Sequence, residues 1–198
     1  MISKLLAGVC RLIPDRRGVA AVEFALVAPL LLSMYFVTME VAQGIEANKK
    51  VGRVGSMVAD LITQQSEITP DQLEAIMKIG QSILQPYNRS TPKIVVTAIE
   101  ITPDPGSRVQ VAWSGKIENG VYSADAAAGS AATVPPALNI ANTFLVRVES
   151  YLNYKPLITW SAEAKPTLGL TAAFDNIPMK ETYYLRPRMS STIECEDC

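Results

Sequence analysis

Residues Val19 to Met39 read VAAVEFALVAPLLLSMYFVTM, a run of 21 residues with one charge, Glu23. At the helical rise this run spans about 31 Å, which matches the ~30 Å hydrocarbon core of a lipid bilayer. A core helix of this length in a water-soluble protein shows a polar face. Between Phe24 and Met39 only Ser33 and Thr38 break the apolar sequence. The chain therefore reads as three parts: a short basic leader (1–18), a transmembrane helix (19–42) and a C-terminal domain (43–198). A cleavable secretory signal is the rival reading, but its apolar stretch is about 7–15 residues long and ends in a small-x-small site. The sequence after this run, Glu40-Val41-Ala42-Gln43-Gly44-Ile45, is a poor match to such a site.

The flanking charges suggest an orientation. Lys4, Arg11, Arg16 and Arg17 precede the run with only Asp15 against them; Lys49, Lys50 and Arg53 follow it, mixed with Glu46. The bias is slight, but the first group sits in a short terminal segment, so the N-terminus is read as cytoplasmic and the bulk of the chain as exported.

Composition narrows the function classes. Apolar residues make up 48% and charged residues 19% of the chain, which argues against general disorder. A net charge of −1 without a basic stripe gives no electrostatic footprint for nucleic acid. The absence of histidine removes His-based triads and His-containing zinc sites and the commonest general base. No cofactor or metal site is expected.

Glu23 is the most informative residue. An acid in an apolar helix costs on the order of 3 kcal/mol at mid-membrane and less one turn inside. It is either an interfacial acid near the headgroups or a partner for a positive charge on another chain. Pro29 frees a backbone carbonyl and kinks a helix, either harmlessly or as a flexible point used when the subunit leaves the bilayer.

The stretch Arg16-Arg17-Gly18-Val19-Ala20-Ala21-Val22-Glu23-Phe24-Ala25 through Pro29 resembles the processing site of type IV prepilins. It is most similar to the TadE-like pseudopilins of the Flp/Tad branch, whose N-termini commonly read Arg-Arg-Gly-x-Ala-Ala-Val-Glu-Phe-Ala-x-x-x-Pro. The resemblance implies that a prepilin peptidase cuts after Gly18, which puts Glu23 at the fifth mature position and Phe24 behind it, with Arg16 and Arg17 as leader charges. Such a cut would free an amine on Val19, protonated below a pKa of about 8. In a low-dielectric setting the carboxylate of a neighbouring subunit would pair with it, and leaving either charge alone would be costly. Losing the leader would take the net charge from −1 to −4, because four basic residues and one acidic residue go with it.

Downstream, Glu40 to Gln64 lacks proline and carries Val41, Ile45, Val51, Val54, Val58, Leu61 and Ile62 at helical spacing, so one long helix is expected over roughly 19–64, its second half lying on a sheet. Gly44, Gly52 and Gly55 weaken it by about 1 kcal/mol each or allow close packing. Thr69, Pro70 and Gln72 form a capping-box start for a second helix with Leu73, Ile76, Met77, Ile83 and Leu84 on one face, ended by Gln85-Pro86. Lys93 to Thr102 and Arg108 to Ile117 read as an antiparallel hairpin around Pro103-Asp104-Pro105-Gly106. Glu118 to Pro136, rich in Ala, Gly and Ser, reads as an exposed loop. Thr143 to Tyr154 is a strand, Lys155 to Ala173 irregular, and Met179 to Ile193 a last strand with Pro187 marking an edge. The predicted class is α+β: a long N-terminal transmembrane helix packed on an antiparallel sheet, pilin-like, with a second short helix. Tyr151-Leu152-Asn153-Tyr154-Lys155-Pro156-Leu157 and Arg186-Pro187-Arg188 are similar to an aromatic strand followed by Pro-Leu and a late Arg-Pro-Arg in the same family.

Cys195 and Cys198 fall in an oxidising compartment if the domain is periplasmic; a structural disulfide or two free thiols is favoured over a redox motif, which usually opens a helix. Cys10 would leave with the leader. The leading expectation is a minor pilin-like subunit supporting assembly of a Tad/Flp type IV pilus. Its implied partners are the prepilin peptidase, the major Flp pilin, a sister pseudopilin, the inner-membrane assembly platform and the lipid bilayer, with no nucleic acid. The larger TadG-like relatives need Asp-x-Ser-x-Ser, which is missing here. Two alternatives stand beside it. One is an uncleaved membrane-anchored periplasmic binding module with no fibre role. The other is a tethered enzyme using Asp60, Asp71, Asp104, Asp125 or Asp175, which show no paired spacing.

Overall fold

A 45-residue α-helix, α1 (Val19–Thr63), is the first element and passes through Pro29 without interruption. The computed structural model describes residues 18–87, 92–103, 106, 108–156, 176–196 and 198. The leader residues Arg16 and Arg17, Cys10, the acids Asp104 and Asp175, and most of the stretch expected to be irregular lie outside the described residues. The chain divides into two compact units, Met1–Ala42 and Gln43–Cys198.

In the first unit, no residue of α1 from Val19 to Met39 is buried. The second unit is α+β. After α1 come β1 (Glu67–Ile68), α2 (Pro70–Ile83), β2 (Lys93–Ile101), β3 (Val109–Glu118), β4 (Val121–Ala124), a short 3-10 turn (Pro136–Leu138), β5 (Thr143–Tyr154), β6 (Ile177–Leu185) and β7 (Glu194–Cys195). Strands 2 to 6 form one antiparallel sheet in the order β4-β3-β2-β5-β6. β1 and β7 make a separate two-residue parallel ladder.

The helices cover one face of this sheet. Ala47, Val51, Val54, Val58, Ala59 and Ile62 of α1 are fully buried, as are Leu73 and Met77 of α2. They pack with Ile94, Val96 and Ala98 of β2, Trp113 and Ile117 of β3 and Val146, Val148 and Leu152 of β5. Val41 and Ile45, expected on the same stripe, are about half exposed; within the second unit the buried stripe begins at Ala47. Ser150 Oγ donates to the Val51 carbonyl at 2.9 Å and binds β5 directly to α1. A smaller cluster of Ile99, Ile101 and Leu145 lies on the opposite face of the sheet with Val109, Val134 and Leu138 against it.

α2 starts where its capping signals place it. The Gln72 amide donates to Thr69 Oγ1 at 3.4 Å and the Thr69 amide to Gln72 Oε1 at 3.1 Å, a reciprocal capping box with Pro70 behind it. Two expectations need correction. The segment after Glu118 is not all loop. Asn119 (φ 55°) and Gly120 (φ 77°) turn the chain into β4, the two-residue Asn-Gly hairpin that positive φ angles favour, and Ala131 bridges back to Gln110. The final strand also ends at Leu185 rather than near Ile193. Pro187 has no amide to continue a ladder, and the chain leaves the sheet there; β6 itself is at the edge.

Candidate functional site

Gly18 stands directly ahead of the first turn of α1, and a Cβ built on it would meet nothing within 4 Å. The backbone at the Gly18-Val19 bond is thus unobstructed by the described chain. Val19 and Glu23, four residues apart, lie on one face of the helix. Glu23 is exposed and lies beyond the first turn, where a helix dipole no longer favours a carboxylate. Among the described residues no side chain pairs with it. Phe24, next to it, is 72% exposed and Leu26 74%.

The rest of this half of the helix keeps its polar atoms to itself. Ser33 Oγ donates to the Leu30 carbonyl and Thr38 Oγ1 to the Met34 carbonyl, each at 2.8 Å. Both hydroxyls are therefore satisfied inside the helix, as an environment without water requires. Pro29 supplies no amide proton, so the carbonyl one turn before it, on Ala25, goes without its helical partner. The helix is long and apolar enough to cross a membrane, with none of its most apolar stretch buried.

Two features of the second unit stand out. On the sheet face away from the helices, Glu149 of β5 takes an ion pair from Lys180 at 2.8 Å and a hydrogen bond from the Tyr151 hydroxyl at 3.1 Å. Arg147 Nε lies 3.5 Å from Glu149 Oε2, an ion pair without hydrogen-bond alignment. Burial pushes the Glu149 carboxyl up. The Lys180 hydrogen bond, the Arg147 charge and the Tyr151 hydrogen bond outweigh that and hold it below the ordinary carboxylate value. The same contact with Glu149 holds the Lys180 ammonium above its ordinary range. The network uses its charges internally, which suits a structural role.

The second feature is a groove of about 460 Å³ lined by Ala112, Trp113, the Ala124–Ala128 segment, Cys195 and Cys198. Cys195 and Cys198 are joined as a disulfide with Cα atoms 5.6 Å apart. Trp113 Nε1 donates to the Ile193 carbonyl at 2.7 Å, a contact between residues 80 positions apart that no local pattern signals. The carboxylates weighed as candidate acids are not brought together. Asp60 pairs with Arg188 at 2.6 Å and accepts from Gln64, Asp125 pairs with Lys116 at 3.0 Å, and Asp71 lies in the first turn of α2. Among the described residues no group of three or more Cys, Asp or Glu side chains is placed to hold a metal ion.

Residues 18–59 match the family model described as TadE-like protein. The match begins at Gly18 and ends within α1, so it covers the exposed apolar half of that helix and most of the half packed on the sheet. No curated protein and no solved structure matches the chain.

Proposed function

Because residues 18–59 are TadE-like, which associates the chain with the Tad pilus machinery in general terms, we propose that it is a minor pilin-like subunit supporting assembly of a Tad/Flp type IV pilus. A prepilin peptidase cuts after Gly18, α1 holds residues 19–42 in the inner membrane, the N-terminus faces the cytoplasm and the domain 43–198 lies in the periplasm. The mature subunit works through helix packing with the major Flp pilin and a sister pseudopilin on the assembly platform, and has no chemistry of its own.

The observation that supports this reading best is the combination at the start of α1. A Gly18-Val19 bond unobstructed by the described chain is followed by an apolar run, 19–39, in which no residue is buried, and the one carboxylate in that run, Glu23, has no partner among the described residues. A carboxylate in that position is expensive in lipid unless a positive charge meets it, and a new Val19 amine on a neighbouring subunit is such a charge.

N-terminal sequencing of protein extracted from membranes of cells that contain the peptidase tests the proposal. The expected first residue is Val19. In the same cells Gly18→Ala should leave the leader attached and abolish piliation, whereas Glu23→Ala should still be cut but should lose pili. Recovery of Met1 on the native protein, with piliation intact in Gly18→Ala, would replace the proposal with the uncleaved anchored module.

A further inference from the structure

The last part of the chain crosses from the sheet to the helical layer. The Arg188 amide donates to the Thr63 carbonyl at the end of α1 at 2.9 Å, and the Arg188 guanidinium pairs with Asp60 one turn earlier. Ile193 is 1% exposed and enters the main core, where its carbonyl receives the Trp113 indole N–H. Glu194 and Cys195 then pair in parallel with Glu67 and Ile68, and the Glu196 amide donates to the Ile68 carbonyl at 3.3 Å. Ile68 is buried and immediately precedes Thr69, the cap of α2.

A ladder of two residues at a chain end is too short to persist by itself, and terminal residues fray unless something ties them down. Buried Ile193 and the Arg188–Asp60 pair anchor the chain ahead of the ladder, and the disulfide directly behind it closes the last four residues into a ring, which restricts the end once it comes loose. Its two cysteines are unequal: Cys195 is half-buried against the main core, beside Trp113 in the groove wall, while Cys198 is exposed.

We propose that the Cys195–Cys198 disulfide is the lock of a C-terminal clasp, which fastens the α1–α2 connection through β1 and β7 and opens on reduction while the five-stranded sheet stays folded. The exchange chemistry needs an external thiol–disulfide partner. To close the clasp, one cysteine thiolate attacks the partner's disulfide and forms a mixed disulfide. The partner's own S–S bond breaks in that step; the second cysteine then attacks the first across the mixed disulfide, the Cys195–Cys198 bond forms as the mixed S–S bond breaks, and the two thiol protons end on the partner's two sulfurs, which take up two electrons. Opening is the reverse: one thiolate of an external dithiol attacks the exposed Cys198 sulfur, Cys195 leaves and takes up a proton, and the dithiol's second thiol then displaces Cys198 as the dithiol's own disulfide forms. The clasp therefore closes only where such an oxidant is present. This inference does not depend on the pilus reading.

Hydrogen exchange on the full chain in detergent micelles, with Cys10→Ser to leave one cysteine pair, tests it. The Glu196 amide and the Trp113 indole N–H are read in the oxidised protein, after phosphine reduction, and after reoxidation. Reduction should speed exchange at both by about twentyfold, the loop-closure figure for a ring of this size. The central-strand amides of Val96 and Val148 should keep their oxidised rates, and reoxidation should restore the slow ones. Unchanged exchange at Glu196 and Trp113 would overturn the proposal. So would equal acceleration at Val96 and Val148, which would make the disulfide a staple of the whole domain. Cys195→Ser with Cys198→Ser should reproduce the reduced pattern; should that variant not fold, reduction of the unmutated pair decides alone.

Discussion

Gly55 leaves no room for a methyl group. A Cβ there would lie 2.7 Å from Tyr183 Cδ2, 3.1 Å from Cε2 and 3.2 Å from Ser150 Oγ. The contacts are a ring side and the hydroxyl that binds Val51, so Gly55→Ala should destabilise the domain by about 1–3 kcal/mol, the usual range for overpacking. Gly44 sits on the same helix, but its added Cβ would meet only Tyr154 Cε1 at 3.8 Å. Gly44→Ala should therefore stabilise by up to about 1 kcal/mol through helix propensity alone. Denaturant midpoints of the two variants, which should move in opposite directions, check both. Glu149 gives a pH prediction. Its folded-state pKa lies below the ordinary value of 4.5, so its stabilisation is present above the unfolded-state value and is lost as pH falls through the folded-state one. Urea midpoints measured downward from about pH 5 should drop less steeply in Glu149→Gln than in the unaltered chain.

Among the elements, α2 shows what a sequence can carry. Thr69, Pro70 and Gln72 specify its start through hydrogen bonds that reach only three residues, and those bonds form. Thr69→Ala leaves the Gln72 amide without its acceptor and should cost about 1 kcal/mol, read as a lower denaturant midpoint. β2 and β5 are legible for a related reason: β2 is dense in β-branched residues and β5 alternates, and both patterns suit a pleated sheet. β4 was hidden because its four residues, Val121 to Ala124, sit in an Ala- and Ser-rich stretch. The one local signal for it is Asn119-Gly120, a hairpin dipeptide that the composition of the stretch does not reveal. The β1–β7 ladder and the Trp113–Ile193 contact had no signal at all, since each pairs chain segments far apart through one or two residues. At the start of α1 the residues were legible as a motif, and the helix places Val19 and Glu23 on one face as their spacing requires. The partner proposed for that face is another subunit, and one chain's sequence encodes only its own half of such a contact.

Over the whole molecule, α1 has two environments along one backbone: exposed apolar residues to Met39, then core residues from Ala47. Val51, Val54, Val58 and Ile62 are each 0% exposed. At about 1.5–3 kcal/mol each, losing all four would remove roughly 6–12 kcal/mol, comparable with the ~5–15 kcal/mol net stability of an ordinary domain. A fragment starting at Gln43 should therefore keep dispersed amide resonances and a cooperative melt, and one starting at Thr63 should show neither. The sheet's two outermost strands carry a different consequence. β4 is four residues long, and β6 contains Pro178 with Lys180 and Glu181 close behind it. Short length, a missing amide and adjacent opposite charges make both rims poor templates for a further strand, so copies crowded side by side can touch without stacking into runaway fibrils.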